Sequence, residues 1–558
     1  MAKYFKILTA TILILLAGCT KDFLDINDDP NFPTSAPLSQ LLTSVEVNLA
    51  DALSINNGLS NFAAVYMHQV TMREDPDQYG VTGSSFYTNN PWDEIYTGPV
   101  QDIELMIKTA DASGDLIYSG IAKILKAYTF SLLVDTYADV PFTEANKQTE
   151  GNPYPNYDEG ATIYPVLLAL LDEAIANIND PDATNLFVPG DNDLIYGGDE
   201  AKWIRLANTI KLKLYNQIRL VDDVSAEVSA LISGANLIGS TESFELPYGI
   251  SKSPDNRNPG VREYESGQKS FYISPWFWKL MRGENPALFT GIQDPRVPYY
   301  FYKQLKPGQA TREGNPTEYR DGGFVTIYFG SIGPNRDHST DGSMTVLGMY
   351  PVGGRYDAND GARVTGDHAT GAAPYRFITY ADRLFIQAEL AVTGVTTGDA
   401  RALLNNAILA SFAQVDRVVA TAKGAQVVPV LAIEGSATTY LNAILAAYDA
   451  TTTAAQKLEI IMTQKWIQSF GSNVDQWTDY RRTGYPIVFD PRNPAHAPGG
   501  FVTSPDGPTL VDPPLPSIPV QRVNEIPLSL PWGDDDLSIN PNAPEQKNPA
   551  AFKVFWDN

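Results

Sequence analysis

Gly120-Ile121-Ala122-Lys123-Ile124-Leu125-Lys126-Ala127-Tyr128 decides the fold class, because its apolar residues, continued by Leu132 and Leu133, recur at helical spacing. The stretch predicts a helix from about Ser119 to Tyr137 whose apolar stripe must be buried against a neighbour. The pattern returns in Tyr164, Leu167, Leu168, Leu171 and Ile175, and again in Trp203, Leu206, Ile210, Leu214 and Ile218. Farther on, Thr453-x-x-Gln456 reads as a capping box opening a helix that carries Leu458, Ile461, Met462, Trp466 and Phe470, with Gly471 placed to end it. Two helical blocks follow, about 37–243 and about 380–485. Paired stripes are satisfied by stacked helical hairpins, so a mainly α chain is expected.

Between the blocks, about 244–379, Pro, Gly, Asn, Asp and aromatic residues crowd together without helical period, as in loop-rich surface sequence. Beyond Tyr485 the chain turns proline-rich, with Pro513-Pro514, Pro516 and Ile526-Pro527, and residues 486–558 are expected to wrap the scaffold in extended form. Length alone allows roughly three or four domains. Yet no Gly/Ser or Pro run long enough to act as a hinge divides the middle, so 37–558 reads as one domain.

At the N-terminus, Lys3 and Lys6 precede an apolar run from Ile7 to Leu16, too short for the roughly twenty residues of a membrane span. Residues 1–18 read as an export signal, and no other long apolar run stands out in the sequence. Leu16-Ala17-Gly18-Cys19 resembles the bacterial lipobox, and Cys19 is the only cysteine, so no internal disulfide exists. The expectation is a diacylated Cys19 with residues 19–36 as anchor and tether, since two or three acyl chains hold a protein on a membrane where one barely does. An ordinary secretory signal with a buried cysteine is the alternative. Thr20-Lys21-Asp22 resembles the Lys-plus-acidic tag that directs lipoproteins to the outer face of the outer membrane.

Forty basic residues against 65 acidic give a net charge of −25, and removal of Lys3 and Lys6 leaves 38 against 65, or −27. Nucleic acid and anionic lipid need basic patches, so neither is an expected ligand. With 43% hydrophobic and 11% aromatic residues the chain buries a large core. Gly-x-Ser-x-Gly, His-Glu-x-x-His and paired Cys-x-x-Cys are absent, and His68, His338, His368 and His496 do not sit at metal-ligand spacing. Gly234-x-x-x-x-Gly239-Ser240-Thr241 imitates a phosphate loop but lacks its lysine, and a helix-ending glycine explains it better. Asp357-x-Asn359-Asp360-Gly361 opens like a calcium loop, but its glycine falls one position early and His368 stands where a glutamate is needed. A turn is expected there and no cofactor, with a structural calcium ion as the alternative.

Several motifs in order resemble the SusD/RagB family of outer-membrane lipoproteins, most closely the SusD-like branch described as starch-binding and outer-membrane-associated. They are Asp28-Asp29-Pro30-Asn31 with Pro33-Thr34, Trp92-x-x-x-Tyr96-Thr97-Gly98-Pro99, Gly120 to Tyr128, and Asp139-Val140-Pro141-Phe142. Trp203 with Ala207-Asn208, Asp294-Pro295-Arg296, Thr463-Gln464-Lys465-Trp466 and Trp477-Thr478-Asp479-Tyr480-Arg481-Arg482-Thr483-Gly484-Tyr485-Pro486 complete the series. The sequence departs from the family near its end, where Ile526-Pro527 is followed by Leu528-Ser529-Leu530-Pro531-Trp532 in place of a basic residue and a Tyr-Pro pair. The resemblance implies a tetratricopeptide-like stack of helix pairs with a loop-rich ligand face. It also implies a non-catalytic, surface-exposed outer-membrane lipoprotein that captures oligosaccharides for a SusC-type TonB-dependent transporter.

A sugar needs aromatic platforms flanked by fixed hydrogen-bonding groups. The stretch from Arg73 to Trp92, which shows no helical period, offers Tyr79, Phe86 and Tyr87 to stack and Arg73, Asp75 and Asn89 to bond hydroxyls, in the part of the chain where the family draws ligand contacts. Trp92, in a scaffold motif with Tyr96, is assigned to packing. Tyr264, Phe271, Tyr272, Trp276, Phe277 and Trp278 crowd six aromatics into fifteen residues, and Tyr264, Tyr272 and Trp276 are expected at the ligand edge. The alternative for each ring is packing of its loop against the scaffold. Two other functions compete with glycan capture: oligopeptide capture, as in the RagB branch, and surface glycoside hydrolysis by a carboxylate pair that the sequence cannot single out.

Overall fold

The Gly120–Leu133 stripe lies inside a helix spanning Leu116–Tyr137 in the computed structural model, which describes residues 36–55, 58–72, 79–83, 85–266, 269, 271–285, 288–313, 318–331, 342–472, 474–490, 493, 496, 501–502, 510–511 and 524–557. The first block holds α1 (Leu38–Leu53), α2 (Leu59–Tyr66), α3 (Phe86–Ile95), α4 (Gln101–Ser113), α5 (Leu116–Tyr137), α6 (Gly160–Ile178), α7 (Glu200–Ile218) and α8 (Ser225–Ser233). Short helices α9 (Arg262–Glu265), α10 (Pro275–Met281), α11 (Val297–Tyr300) and α12 (Met349–Val352) punctuate the loop-rich region. The second block holds α13 (Tyr380–Val392), α14 (Ala400–Ala422), α15 (Gly435–Ala450), α16 (Ala454–Gln468) and α17 (Asp475–Thr483), and α18 (Asp534–Ile539) lies near the C-terminus. Cys19 and residues 1–18 fall outside the described residues.

Helix α5 buries nearly every residue and not one stripe alone, because α1, α4, α6 and α7 all pack against it. Gly120 permits the close approach of α6: a Cβ there would lie 2.6 Å from Ile178 Cγ1 and 2.8 Å from the Ala174 carbonyl oxygen. Among the described residues two helices, α5 and α6, are long and apolar enough to cross a membrane by length and composition, which corrects the expectation of no further long apolar run. In α5 that apolar window is 94% buried within the protein. The capping box forms as read, Thr453 and Gln456 exchanging side-chain and backbone bonds at the start of α16. Gly471 follows that helix with φ 89°, and a Cβ there would meet Pro351 Cβ at 2.4 Å. Gly234 caps α8. The result is a mainly α fold of stacked helix pairs.

The two blocks close on each other: α7 packs on α13, α13 on α14 and α16, and α17 on α2. Their junction carries charge. Glu389 of α13 takes Arg482 of α17 bidentately, Nε and Nη2 each at 2.9 Å, while Arg219 Nη2 lies 2.9 Å from it and Asn216 Nδ2 3.0 Å. Arg482 also reaches Asp479 at 2.7 Å, and Lys465 of α16 pairs with Asp479 at 2.8 Å. Burial pushes the Glu389 pKa up, but Arg482, Arg219 and Lys465 outweigh it and bring it down to about 2.

The loop-rich region is zipped at its base, where β2 (Phe244–Leu246) pairs antiparallel with β4 (Tyr375–Ile378), Phe244 opposite Ile378. Its departure and return thus lie side by side. Residues 524–557 include α18, so this strap is not wholly extended, and it is held at the C-terminal end of α5. Leu530 N donates to Thr136 O at 2.8 Å, Trp532 Nε1 to Asp139 O at 2.8 Å, and Trp556 Nε1 to Asp135 Oδ1 at 2.8 Å. The segment that departs from the family pattern is therefore anchored on the end of α5, with Arg481 Nη1 also donating to Leu528 O at 2.7 Å.

A carboxyl pair pins the segment before α7 to α1. Asp193 accepts from Ile195 N, Tyr196 N, Gly198 N and Trp203 Nε1 at 2.7–3.1 Å. Glu46 beside it accepts from Leu194 N at 2.8 Å, and burial, then the Asp193 charge, push its pKa up to about 10. Glu46 is therefore a neutral acid at pH 7.

Substituting Glu389 by Ala leaves buried cations uncompensated and should cost about 3–5 kcal/mol in denaturant unfolding. Because its folded pKa is lowered, its contribution is present above the ordinary 4.5 and is lost as pH falls towards about 2, so Glu389→Ala should flatten the acid limb of stability. Glu46 has the opposite sign: its contribution is full below 4.5 and fades as pH rises towards about 10. Glu46→Gln, an isostere of the protonated acid, should therefore reduce the loss of the urea midpoint between pH 6 and pH 10.

Candidate ligand-binding face

A two-residue ribbon joins the two stretches singled out from the sequence. Val70 and Thr71 (β1) pair antiparallel with Ile273 and Tyr272 (β3), so the chain entering the 73–92 stretch runs beside the 264–278 aromatic cluster. Arg73 and Asp75 lie outside the described residues. Phe86, Tyr87 and Asn89 fall in α3, which corrects the non-helical reading of that stretch, and their side chains are outside the described set. Pro91 and the paired asparagines are poor helix formers, but Trp92 and Ile95, 3% and 1% exposed, hold the helix to the core. Trp92 packs as expected, 4.9 Å from the ring centroids of both Tyr96 and Tyr137.

Four candidate rings are not at an open edge. Tyr79 is buried; its hydroxyl is 2.8 Å from His68 Nε2, its ring 4.9 Å from Phe329, and its carbonyl accepts from Asn524 Nδ2 at 2.9 Å. Tyr264 is buried, donates to Leu347 O at 2.6 Å and accepts from Arg355 N at 2.8 Å. Tyr272 is buried among Leu305, Val325, Ile327 and Met344, with its hydroxyl donating to Lys269 O at 2.9 Å. Trp276 is buried, its Nε1 donating to Ile487 O at 3.3 Å and its ring 4.6 Å from His496. The expected ligand-edge placement of Tyr264, Tyr272 and Trp276 is thus corrected: loop backbone carbonyls need donors, and tyrosine and tryptophan supply them from inside.

Three consecutive aromatics on α10 explain how six rings fit in so little chain. Trp276 turns towards Phe489 and His496, Phe277 towards Trp466 and Phe470 in the core, and Trp278 stacks on Phe324 at 4.3 Å. At about 100° per residue, successive side chains must diverge in this way. Phe277 and Trp278 are core.

The assembled feature is an aromatic array: Tyr79, Phe329, His68, Phe489, Trp276 and His496, each ring within 6.1 Å of the next. His496 is its half-buried end; burial lowers its pKa, and nearby Asp490 pulls it up by less. Sequence reading missed His68, Phe329 and Phe489, which come from separate segments and share no local pattern. Such an array is a rigid floor on which flanking loops are carried. In the segment that resembles a calcium loop, Asp357 pairs with Lys303 at 3.5 Å and Asp360 with Arg355. Among the described residues no group of three or more His, Cys, Asp or Glu side chains is placed to hold a metal ion.

Stacked helix pairs carrying an irregular, aromatic-floored face make a scaffold of the solenoid kind. The chain belongs to the SusD/RagB family: the SusD-like family model described as "Starch-binding associating with outer membrane" matches residues 30–503. The fold is similar to that of a SusD homologue from Bacteroides fragilis NCTC 9343 (TM-score 0.65, 18% identity, covering 94% of this chain and 99% of that one). It is also similar to a SusD/RagB family protein from Bacteroides thetaiotaomicron VPI-5482 (0.66, 19%, 94% and 99%) and to a chitin-binding protein (0.65, 20%, 94% and 100%). At these identities the likeness is one of fold. No curated protein matches the sequence.

Trp276→Ala should cost about 3–5 kcal/mol in urea unfolding, the loss expected of a buried tryptophan. A ring at an open ligand edge would instead stay within about 0.5 kcal/mol.

Proposed function

We propose that this protein is a non-catalytic glycan-binding lipoprotein of the cell surface, which captures oligosaccharides and delivers them to a SusC-type TonB-dependent transporter. The family match over residues 30–503 carries the reading, and the fold shared with a chitin-binding protein supports it. Residues 1–18 would direct export, and acylated Cys19 would anchor the mature chain in the outer membrane, facing outwards. On the ligand face, Phe86 and Tyr87 would stack on sugar rings while Arg73, Asp75 and Asn89 bond hydroxyls. Tyr79, Tyr264, Tyr272 and Trp276 would act beneath them as a rigid floor. A floor locked by packing lowers the ordering cost of binding.

Calorimetric titration of the mature chain with plant, host and microbial oligosaccharides tests this. Binding of at least one sugar, weakened about tenfold or more (about 1.4 kcal/mol) in Phe86→Ala/Tyr87→Ala, is expected. Binding of oligopeptides alone would replace glycan with peptide capture, and hydrolysis of any oligosaccharide would make the protein a glycosidase. In cells, labelled palmitate should enter the wild type and not Cys19→Ser.

A further inference from the structure

A cleft of about 590 Å³ lies between the Gly291–Pro298 turn and helix α15, lined by Trp278 and not by Trp276. Because those two tryptophans point to different sides of α10, this cleft is separate from the aromatic array. Its volume falls in the range of small-molecule sites, about 300–1,000 Å³.

Trp278 closes the floor, with Nε1 donating to Asp321 Oδ2 at 2.7 Å and the ring stacked on Phe324. The Arg282 guanidinium and the Lys303 ammonium stand over that ring, 5.6 and 5.9 Å from its centroid. Asp294 and Asp357 also line the cleft. Their side chains, however, are only 1% and 3% exposed, held by Arg296 at 2.6 Å and by Lys303 at 3.5 Å. Arg282 and Lys303 remain 37% and 16% exposed. The exposed charges that line the cleft are therefore cationic, in a chain whose net charge is −25, although Lys303 also bonds Asn359 Oδ1 at 2.6 Å and Glu284, the partner of Arg282, is itself 37% exposed. Arg282 bonds Glu284 through Nε and Nη2, and its Nη1 makes no hydrogen bond among the described residues.

Neutral hydrogen-bonding groups surround these cations. Ser436 and Thr439 are exposed on the first turns of α15, and Gln293 is exposed on the facing turn. Half-buried Ile292, Pro295 and Pro298 give the wall between them an apolar surface. Fixed cations beside hydroxyl and amide groups and an apolar wall match a ligand that bears an anionic group, many hydroxyls and C–H faces.

We infer that this cleft is a binding site for an acidic oligosaccharide, whose carboxylate or sulfate is held by Arg282 and Lys303 while its hydroxyls meet Gln293, Ser436 and Thr439. The choice of a saccharide rests on the glycan-capture reading; the cationic cleft itself does not.

Titration of the mature chain with tetragalacturonate, its fully methyl-esterified form and a chondroitin sulfate tetrasaccharide tests the inference. At least one acidic oligomer should bind, at least tenfold more tightly than the ester in the galacturonate case, with affinity falling as salt rises. Arg282→Gln should lower that affinity tenfold or more. Thr439→Trp, which fills the cleft and leaves its charges in place, should abolish it without lowering the unfolding midpoint. Equal binding of acid and ester, or acidic binding unchanged in both variants, overturns the site. Loss in Phe86→Ala/Tyr87→Ala alone moves the ligand to the loop face and spares the glycan reading, whereas no binding by any saccharide, acidic or neutral, removes both.

Discussion

The buried pair of Glu389 and Arg482 is the constraint on which the rest of the structure depends. Helices α7, α13, α16 and α17 meet there, and each contributes a charged or amide side chain to one hydrogen-bonded network. Buried charges are costly unless paired, so the four helices are held in the arrangement that pairs them. Hydrophobic stripes alone permit sliding between stacked helices. The bidentate fork fixes register, and in doing so it fixes where the loop-rich region leaves and returns through the β2–β4 pair. The position of the loop-rich face is thus tied to an ion pair buried in the helical scaffold.

The helical scaffold was legible because helix formation writes itself into local spacing. The capping box at Thr453, the glycine after α16 and the three striped helices are all short-range signals, and all appear as read. Helix α3 was not legible: Pro91 and the asparagines argue against a helix locally, and burial of Trp92 and Ile95 overrides them. The face was legible only in part. The two aromatic stretches singled out in the sequence do adjoin, since β1 and β3 pair, but an aromatic count does not say which way a ring points. Tyr264, Tyr272 and Trp276 were read outward because loops are surface features, yet their polar atoms serve buried loop carbonyls. The partners that hold them inside, such as Leu347 and Ile487, lie 83 and 211 residues away.

Scaffold and face are joined most directly through α10. Phe277 grips the second helical block through Trp466 and Phe470, while its two tryptophan neighbours support the aromatic array on one side and the cationic cleft on another. A shift of the second block would therefore be felt in both places. That coupling gives a physical reason for a binding protein to hold its stack rigid: loops carried on a locked floor lose less entropy when a sugar orders them.

The most direct test of the account is calorimetry of the mature protein with its best oligosaccharide, followed by chromatography of the same sample after prolonged incubation. Saturable heat with the oligosaccharide recovered intact is the predicted result, the signature of capture without chemistry. Shortened products in that sample, or no heat with any saccharide, would contradict the central claim.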